Sequence, residues 1–206
     1  MAKRYFLALL AITLAAGGAY AQFSLSLGGG GNFIANFDSL TLDGGKISVT
    51  TAGGGFFGFL DLTYVELDGG IVFGAMQSKM SGGGFSDTNK GPNVIYVTFG
   101  AFGKYPINLA DSITLFPMLG LQFDLGFRVL QNGERVADAT DTLNRFWVKF
   151  GGGADFFFTQ RLFLRPTFLW GTNFGTKVLN DWKSLSSAKS FYHGLDIRVA
   201  MGFKII

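Results

Sequence analysis

Apolar and polar residues alternate strictly along several segments of this chain. From 113 to 129 every odd position is apolar, beginning with Ile113 and ending with Val129, while the even positions include Thr114, Gln122 and Asp124. A period of two is typical of a β-strand with two different faces. The segment is far longer than the roughly five or six residues usual in soluble sheets. It is long enough to cross a bilayer as a tilted strand.

The same alternation recurs about eight times, which predicts eight strands. The predicted strands span 23–37, 54–66, 71–80, 94–105, 113–129, 145–158, 162–174 and 191–205. The predicted connections alternate in length: 38–53, 81–93, 130–144 and 175–190 are long and polar, whereas those near 67, 108 and 160 are short, with a tight hairpin turn at 67–70. Long loops at one rim and short turns at the other are typical of outer-membrane barrels, whose long loops are extracellular.

The apolar face of these strands is predicted to point outward. It is crowded with Phe, Leu and Ile, whereas glycines thin the polar face. The interior of an eight-stranded barrel is only just wide enough for side chains to fill, so the thinner face fits inside. A soluble lipocalin-like barrel would show the opposite arrangement. The sequence therefore predicts an all-β fold, an eight-stranded antiparallel up-and-down transmembrane β-barrel.

The first 21 residues have the pattern of a secretory signal. Lys3 and Arg4 precede an apolar run, and Ala19 and Ala21 form the small-x-small pattern of a signal-peptidase site. We expect 1–21 to be cleaved and 22–206 to form the barrel domain. An uncleaved membrane anchor is the alternative, but the apolar run is too short for a spanning helix.

Composition narrows the function classes. Removal of Lys3 and Arg4 lowers the net charge of +3 by two, and no run of Lys and Arg occurs, so a nucleic-acid role has no support. The chain has no Cys, so no disulfide framework stabilises it. Mean hydropathy is +0.32, yet no uncharged apolar run after the signal approaches the roughly 18 residues of a spanning helix. Hydrophobicity without helical spans favours a closed barrel.

Charged residues on the predicted inner face should pair with one another, because unpaired charges are costly to bury. Counting outward from the turn at Gln160 sets Asp155 opposite Arg165, and similar counting sets Asp124 near Lys149 or Arg145. The predicted lumen ion-pair network comprises Asp61, Lys104, Asp124, Arg128, Arg145, Lys149, Asp155, Arg165, Asp196, Arg198 and Lys204.

Two further features of the wall are predicted. Aromatic residues near strand ends on the outer face indicate interfacial girdles: Tyr64, Tyr105, Phe158, Trp170 and Phe203. Pro117 and Pro166 remove donors from the strand ladder, so a local bulge is expected near each.

Enzymatic chemistry has little support in the sequence. His193 is the single histidine, which excludes a site that needs two, and we interpret it as an interfacial aromatic residue. The glycine-rich runs lack the Lys and Ser/Thr of a phosphate-binding loop. The sequence predicts no catalytic residue, no metal site and no cofactor.

The mature chain resembles the small eight-stranded outer-membrane proteins, the class of the OmpA transmembrane domain, OmpX and OmpW. The resemblance depends on the signal, the alternating strands and the closing segment 194–206, in which Phe203 and Ile205 hold outward places. It implies a bacterial outer-membrane location, recognition by the barrel assembly machinery, and contact with outer-membrane lipid and lipopolysaccharide. The chain departs from the class in ending on Ile206 rather than Phe. It also lacks the His-x-Ser pair of barrel-embedded lipid A deacylases, since His193 is followed by Gly194 and Leu195.

Three functional hypotheses follow. The first is a structural or surface-interaction protein of the cell envelope, with a lumen closed by ion pairs and with long loops that meet an extracellular ligand. The second, implied by the resemblance to OmpW, is a narrow channel for small hydrophobic molecules. The third is a membrane-embedded lipid-modifying enzyme. Trp182 with Lys177, Lys183 and Lys189 forms a candidate adhesive or lipopolysaccharide-binding patch, or a solvated loop face.

Overall fold

The computed structural model describes residues 24–42, 45–136, 140, 143–173 and 189–206. Several residues with predicted roles lie outside the described part of the chain. They are the predicted signal at 1–21, the loop residues Lys177, Trp182 and Lys183, and the side chain of Lys189. Within the described ranges, no helix has the length and apolar character needed to cross a membrane.

The described chain folds as β-strands that close into a ring. The strands are β1 (Ser26–Leu42), β2 (Gly45–Asp61), β3 (Val65–Gly82), β4 (Phe85–Lys104), β5 (Ile107–Ala110), β6 (Ile113–Gln131), β7 (Glu134–Arg135), β8 (Arg145–Phe157), β9 (Leu162–Asn173) and β10 (Lys189–Lys204). Eight of them pair antiparallel in the order β4-β3-β2-β1-β10-β9-β8-β6, and β4 also pairs with β6. The short strands β5 and β7 pair with the two ends of β6. The predicted eight-stranded antiparallel fold is confirmed.

Paired residues followed once around the ring return to β1 ten positions further along. The path leads from Ser26 through Asp61, Glu66, Phe102, Gly120, Lys149, Gly171 and Gly194 to Asn36. A stagger of this kind requires strands tilted against the barrel axis, typically by about 35–45°. The enclosed space is just wide enough for side chains to fill.

The two faces of the wall differ as predicted. Large apolar side chains lie exposed on the outside, among them Phe56, Leu119 and Phe168. Charged side chains lie inside, where Arg165 is 2% exposed and Asp196 is 1% exposed. Apolar atoms outside and ions inside suit a wall surrounded by lipid rather than by water.

Several predicted connections are wrong, because the strands extend well beyond the apolar part of the wall. Most of 38–53 and 81–93 lies in paired strands. Gly83 and Gly84 connect β3 to β4, and Asn132 and Gly133 connect β6 to β7. All four have positive φ, as a type I′ hairpin turn requires. Stiff hairpins therefore stand where long loops were expected.

The turn predicted at 67–70 is also wrong, since these residues lie inside β3. The chain reverses instead at 62–64, where Thr63 has a φ of 67°. The expected bulges near Pro117 and Pro166 are absent, because the register does not shift at either residue. On its β8 side, Pro166 lies where the ladder lacks two pairs, between Gly153–Thr167 and Phe156–Leu164. The register shifts at two other places. One is in the β3–β4 pair, where Pro92 lies on β4, and the other is in the β4–β6 pair, at Phe127 on β6.

Candidate functional site in the barrel lumen

Arg165 forms the centre of an ion-pair cluster near the short-turn rim. Its guanidinium donates to Asp155 at 2.6 Å, to Asp61 at 2.6 Å and to Glu66 at 2.5 Å. Lys104 also pairs with Asp61. Arg165 stands on β9 and Glu66 on β3, four places apart in a ring of eight. The side chain therefore spans the lumen from one wall to the opposite one.

A second cluster fills the next level of the lumen. Arg198 pairs with Asp68, and at 2.8 Å with Asp196, which Lys149 also contacts at 3.0 Å. Gln122 Oε1 accepts hydrogen bonds from Lys149 Nζ at 2.9 Å and from Arg198 Nη2 at 3.0 Å. The two cations are thus held by two carboxylates and one amide, all buried.

Asp124 and Arg145 lie nearer the rim formed by the hairpins. The two residues are register partners, yet their side chains bond elsewhere. Asp124 accepts hydrogen bonds from Trp147 Nε1 at 2.7 Å and from Gln122 Nε2 at 2.6 Å. Arg145 donates to Asp38 at 2.6 Å. The expected proximity of Asp124 to Arg145 is present in the ladder, whereas the ion pair forms with Asp38.

Aromatic rings pack between these ionic clusters and lie directly on glycines. The Arg165 guanidinium carbon lies 4.6 Å, 5.0 Å and 4.9 Å from the ring centroids of Phe59, Phe116 and Phe163. A Cβ on Gly202 would lie 2.2 Å from the Phe163 ring, and a Cβ on Gly153 would lie 2.7 Å from the Phe116 ring. The inner-face glycines therefore make the room in which the buried rings stack over the cations.

An apolar cluster lies in the lumen toward the hairpin rim. It consists of Ile34, Val72, Val94, Tyr96, Val129 and Leu143, with Met76 and Val136 against it. Leu143 comes from the segment between β7 and β8, and a Cβ on Gly126 would lie 2.8 Å from the Leu143 Cβ. Leu143 therefore points into the lumen, on the hairpin side of the ionic clusters.

The opposite end of the lumen holds a polar vestibule. This cavity of about 400 Å³ is lined by Ser26, Asp61, Lys104, Asp155 and Lys204, among others. The structure places Lys204 here, half-buried, and it forms no ion pair with another described residue. Lys204 stands at the end of β10, at one edge of this cavity.

The lumen placement of Arg128 is wrong. In the β4–β6 pair, Ile95 pairs with Arg128, but the next residue, Tyr96, pairs with Gly126. Phe127 is therefore an extra residue in β6. A bulge of one residue reverses the faces beyond it. Phe127 and Arg128 are consequently both exposed, and Val129 is buried.

Three buried acids lie in the lumen outside the predicted network: Asp38, Glu66 and Asp68. Asp38 fell in a predicted loop, Glu66 at a predicted strand end and Asp68 in a predicted turn. A detectable signal was present for the last two, because Val65, Glu66, Leu67 and Asp68 alternate in the strand pattern. Within the described residues, no group of three His, Cys, Asp or Glu side chains is arranged to hold a metal ion.

Four of the predicted interfacial aromatics lie on the outer wall, whereas Tyr64, in the turn between β2 and β3, also lines the vestibule. At the short-turn rim, Tyr105 and Phe158 are exposed, and the Tyr64 and Tyr105 rings lie 6.4 Å apart. Phe203 is also exposed there. Trp170 lies on the hairpin side of β9, where its Nε1 donates to His193 Nδ1 at 3.2 Å.

Comparisons with known proteins bear on the fold. No protein-family model and no curated sequence matches the chain. The chain is similar to the outer membrane protein OprG from Pseudomonas aeruginosa, with a TM-score of 0.50 and 10% identity over 90% of this chain and 97% of that chain. It is also similar to Neisserial surface protein A, with a TM-score of 0.45 and 8% identity over 87% and 96% of the two chains.

A third similar structure is Ail of Yersinia pestis, solved in complex with the heparin analogue sucrose octasulfate, with a TM-score of 0.38 and 9% identity over 90% of this chain and 100% of that chain. At these identities the likeness concerns the fold alone. The predicted resemblance is confirmed at that level: the chain has the fold of the small bacterial outer-membrane β-barrels.

Proposed function

We propose that this protein is a non-enzymatic outer-membrane barrel with a closed lumen, which serves the cell envelope as a rigid platform for its surface hairpins. Cleavage of 1–21 and assembly by the barrel assembly machinery belong to the same proposal. The long hairpins face the cell exterior, as in other barrels with one long-loop rim. There they would meet an extracellular ligand or the lipopolysaccharide layer.

The observation that carries the proposal is the Arg165 bridge. Its guanidinium joins β9 to Asp61 on β2 and Glu66 on β3. The second cluster and the apolar cluster then occupy the lumen above it. Side chains held by two or three charged hydrogen bonds would have to be displaced before ions could pass these levels.

Planar-bilayer recording tests the closed lumen. The full mature protein should show no steady current, because ions would have to displace the buried pairs. The double variant Arg165→Ala, Arg198→Ala should conduct, since both bridges are removed. The control Arg161→Ala, at the exposed turn before β9, should stay silent. A steady open-channel current from the unmodified protein would overturn the proposal.

A narrow conduit for small hydrophobic molecules is the second candidate. The apolar cluster around Tyr96 and Leu143 favours it, because an apolar molecule could bind at this end of the lumen. Titration with a fluorescent apolar probe separates the candidates. Saturable binding that Leu143→Asp abolishes would support the conduit, whereas absence of saturable binding to the unmodified protein would exclude it.

A further inference from the structure

Five basic residues on the outer face of the hairpins lie on one side of the barrel. Lys46, Lys79, Lys90, Arg128 and Arg135 are all exposed. We name this group the basic arc. Its members come from β2, β3, β4, β6 and β7, which occupy neighbouring places around the ring.

The strand register shows that the arc faces outward. Lys79 lies on the same side of β3 as the exposed Phe73, and its register partner is Thr88. Lys90 pairs with Gln77, which also faces outward, so Lys79 and Lys90 are diagonal neighbours. Lys46 pairs with Ser81, the outward residue next to Lys79 on β3.

The bulge at Phe127 brings the two arginines into the arc. It turns Arg128 to the exterior, with the guanidinium carbon 6.0 Å from the Phe127 ring centroid. Arg135 pairs with Leu130, two residues beyond Arg128 on the same face. Arg128 and Arg135 are therefore diagonal neighbours on the outer wall.

Acidic residues do not share this surface within the described part of the chain. Asp87 pairs with Met80, and Glu134 pairs with Gln131, so both acids project from the opposite face of their hairpins. None of the five basic residues has an ion-pair partner among the described residues. At the other rim, the exposed charges on the described turns are Arg161 and Asp111, one of each sign.

The arc begins where the apolar wall ends. On β6, Arg128 directly follows the exposed Phe127. On β4, the outward residues Ile95, Asn93 and Lys90 follow one another from the apolar wall toward the tip of the β3–β4 hairpin. Basic groups at this height lie beside lipid headgroups rather than beside acyl chains.

We propose that the basic arc binds the phosphate groups of the phosphorylated glycolipid in the outer leaflet of the outer membrane. Paired guanidinium groups suit phosphate oxygens, and the lysines add positive charge along the same surface. The inference rests on the proposed orientation, with the hairpins at the cell exterior. It adds that lipid phosphate holds one side of the barrel at a defined depth.

Native mass spectrometry of the full mature protein in detergent tests the proposal. The probes are diphosphoryl lipid A and the same lipid A without phosphates. We expect the unmodified protein to bind the phosphorylated form at least about tenfold more tightly, since five basic groups face the headgroups. The variant with all five residues changed to Gln should lose this preference, and the single variant Arg128→Gln should lose part of it. The control Arg161→Gln should keep it.

Equal affinity of the unmodified protein for both lipids, or an unchanged preference in the five-residue variant, would overturn the proposal. Arc-dependent binding of a soluble polysulfate that exceeds lipid A binding would overturn it as well, because the arc would then be a receptor for an extracellular polyanion. Folding of each variant is checked by heat-modifiable electrophoretic mobility. If the basic arc does not bind lipid A phosphate but the protein shows no steady current in bilayer recordings, only the basic-arc proposal is overturned. The proposed closed-barrel function is then still supported.

Discussion

Arg165 and Asp155 are joined by two parallel hydrogen bonds across the β8–β9 pair, from Nε to Oδ1 and from Nη2 to Oδ2, each 2.6 Å long. This fork geometry fixes the guanidinium plane, so that Nη1 and Nη2 also reach Glu66 and Asp61 on the far wall. One arginine therefore binds three carboxylates that come from three strands.

Replacement of Arg165 by Leu should strongly destabilise the barrel. Of the three buried carboxylates, only Asp61 would keep a direct ion pair with another described residue, Lys104. Breaking a buried pair by removing one partner costs about 3–5 kcal/mol. Urea unfolding in phospholipid vesicles, followed by the electrophoretic mobility shift, measures the free energy of unfolding.

The double variant Arg165→Leu, Asp155→Leu should recover part of this loss, because replacement of both partners removes an unpaired charge. The exposed Arg161→Leu serves as the control and should change stability by less than about 0.5 kcal/mol. Equal stability of Arg165→Leu and Arg161→Leu would show that the cluster does not stabilise the fold.

Gly202→Ala should be destabilising because the Phe163 ring occupies the space of the added methyl group. The added Cβ would lie 2.2 Å from the ring Cζ, and overpacking of a filled core costs about 1–3 kcal/mol. The same change at the outward-facing Gly58 should be tolerated, since its Cβ would meet its nearest atom, Gly28 O, at 3.6 Å.

A smaller side chain in place of Phe163 tests whether the ring packs directly on Gly202. In the Phe163→Leu background, Gly202→Ala should cost less than it does alone, because the two positions share one space. The comparison uses the same urea unfolding measurement. Strictly additive losses would contradict direct packing of the ring on Gly202.

The alternating pattern predicted the strands well wherever one face meets lipid and the other meets the lumen. The predicted 145–158 and 162–174 differ from β8 and β9 by one residue at the end. Beyond the apolar wall, the outward positions of the paired strands are polar, among them Ser48, Thr50 and Thr88, so hydrophobic alternation is lost although the backbone remains paired. For this reason the sequence pattern predicts loops at 38–53 and 81–93.

The turn between β2 and β3 shows why some turns cannot be predicted from sequence patterns. Asp68, Gly69 and Gly70 have hairpin-turn composition, but the actual turn contains Thr63, a β-branched residue that rarely adopts positive φ. Its conformation is stabilised by tertiary contacts: Thr63 Oγ1 accepts a hydrogen bond from Ser24 N at 2.7 Å and donates to Ser24 O at 3.0 Å. The bulge at Phe127 likewise has no local signal, and the lumen placement of Arg128 failed there.

Trp147→Phe should reduce stability without enlarging the lumen. Trp147 is fully buried, and its Nε1 donates to Asp124 Oδ2 at 2.7 Å. Phe retains most of the packing but leaves a buried carboxylate oxygen without this donor, at a cost of about 1–3 kcal/mol. Urea unfolding measures the loss. The same substitution in an Asp124→Leu background should cost less, and an equal cost in both backgrounds would contradict the role of the hydrogen bond.

Two leucines of equal exposure test where the wall meets lipid. Leu119 lies in the middle of the outer wall, on β6, and Leu109 lies on β5 at the short-turn rim, and each is 61% exposed. In water, an Arg at either site would be harmless. In a bilayer, Arg should cost about 2–4 kcal/mol near the midplane and about 0–1 kcal/mol near the interface.

We therefore expect Leu119→Arg to lower the free energy of unfolding in phospholipid vesicles by several times the effect of Leu109→Arg. The two variants have the same change in charge and volume and the same starting exposure, so the difference between them reports depth alone. In detergent micelles, whose apolar layer adapts to a charged side chain, the difference should shrink. Equal losses in vesicles would mean that the apolar face of β6 does not lie in the hydrocarbon layer, and the assignment of the outer wall to lipid would have to be withdrawn.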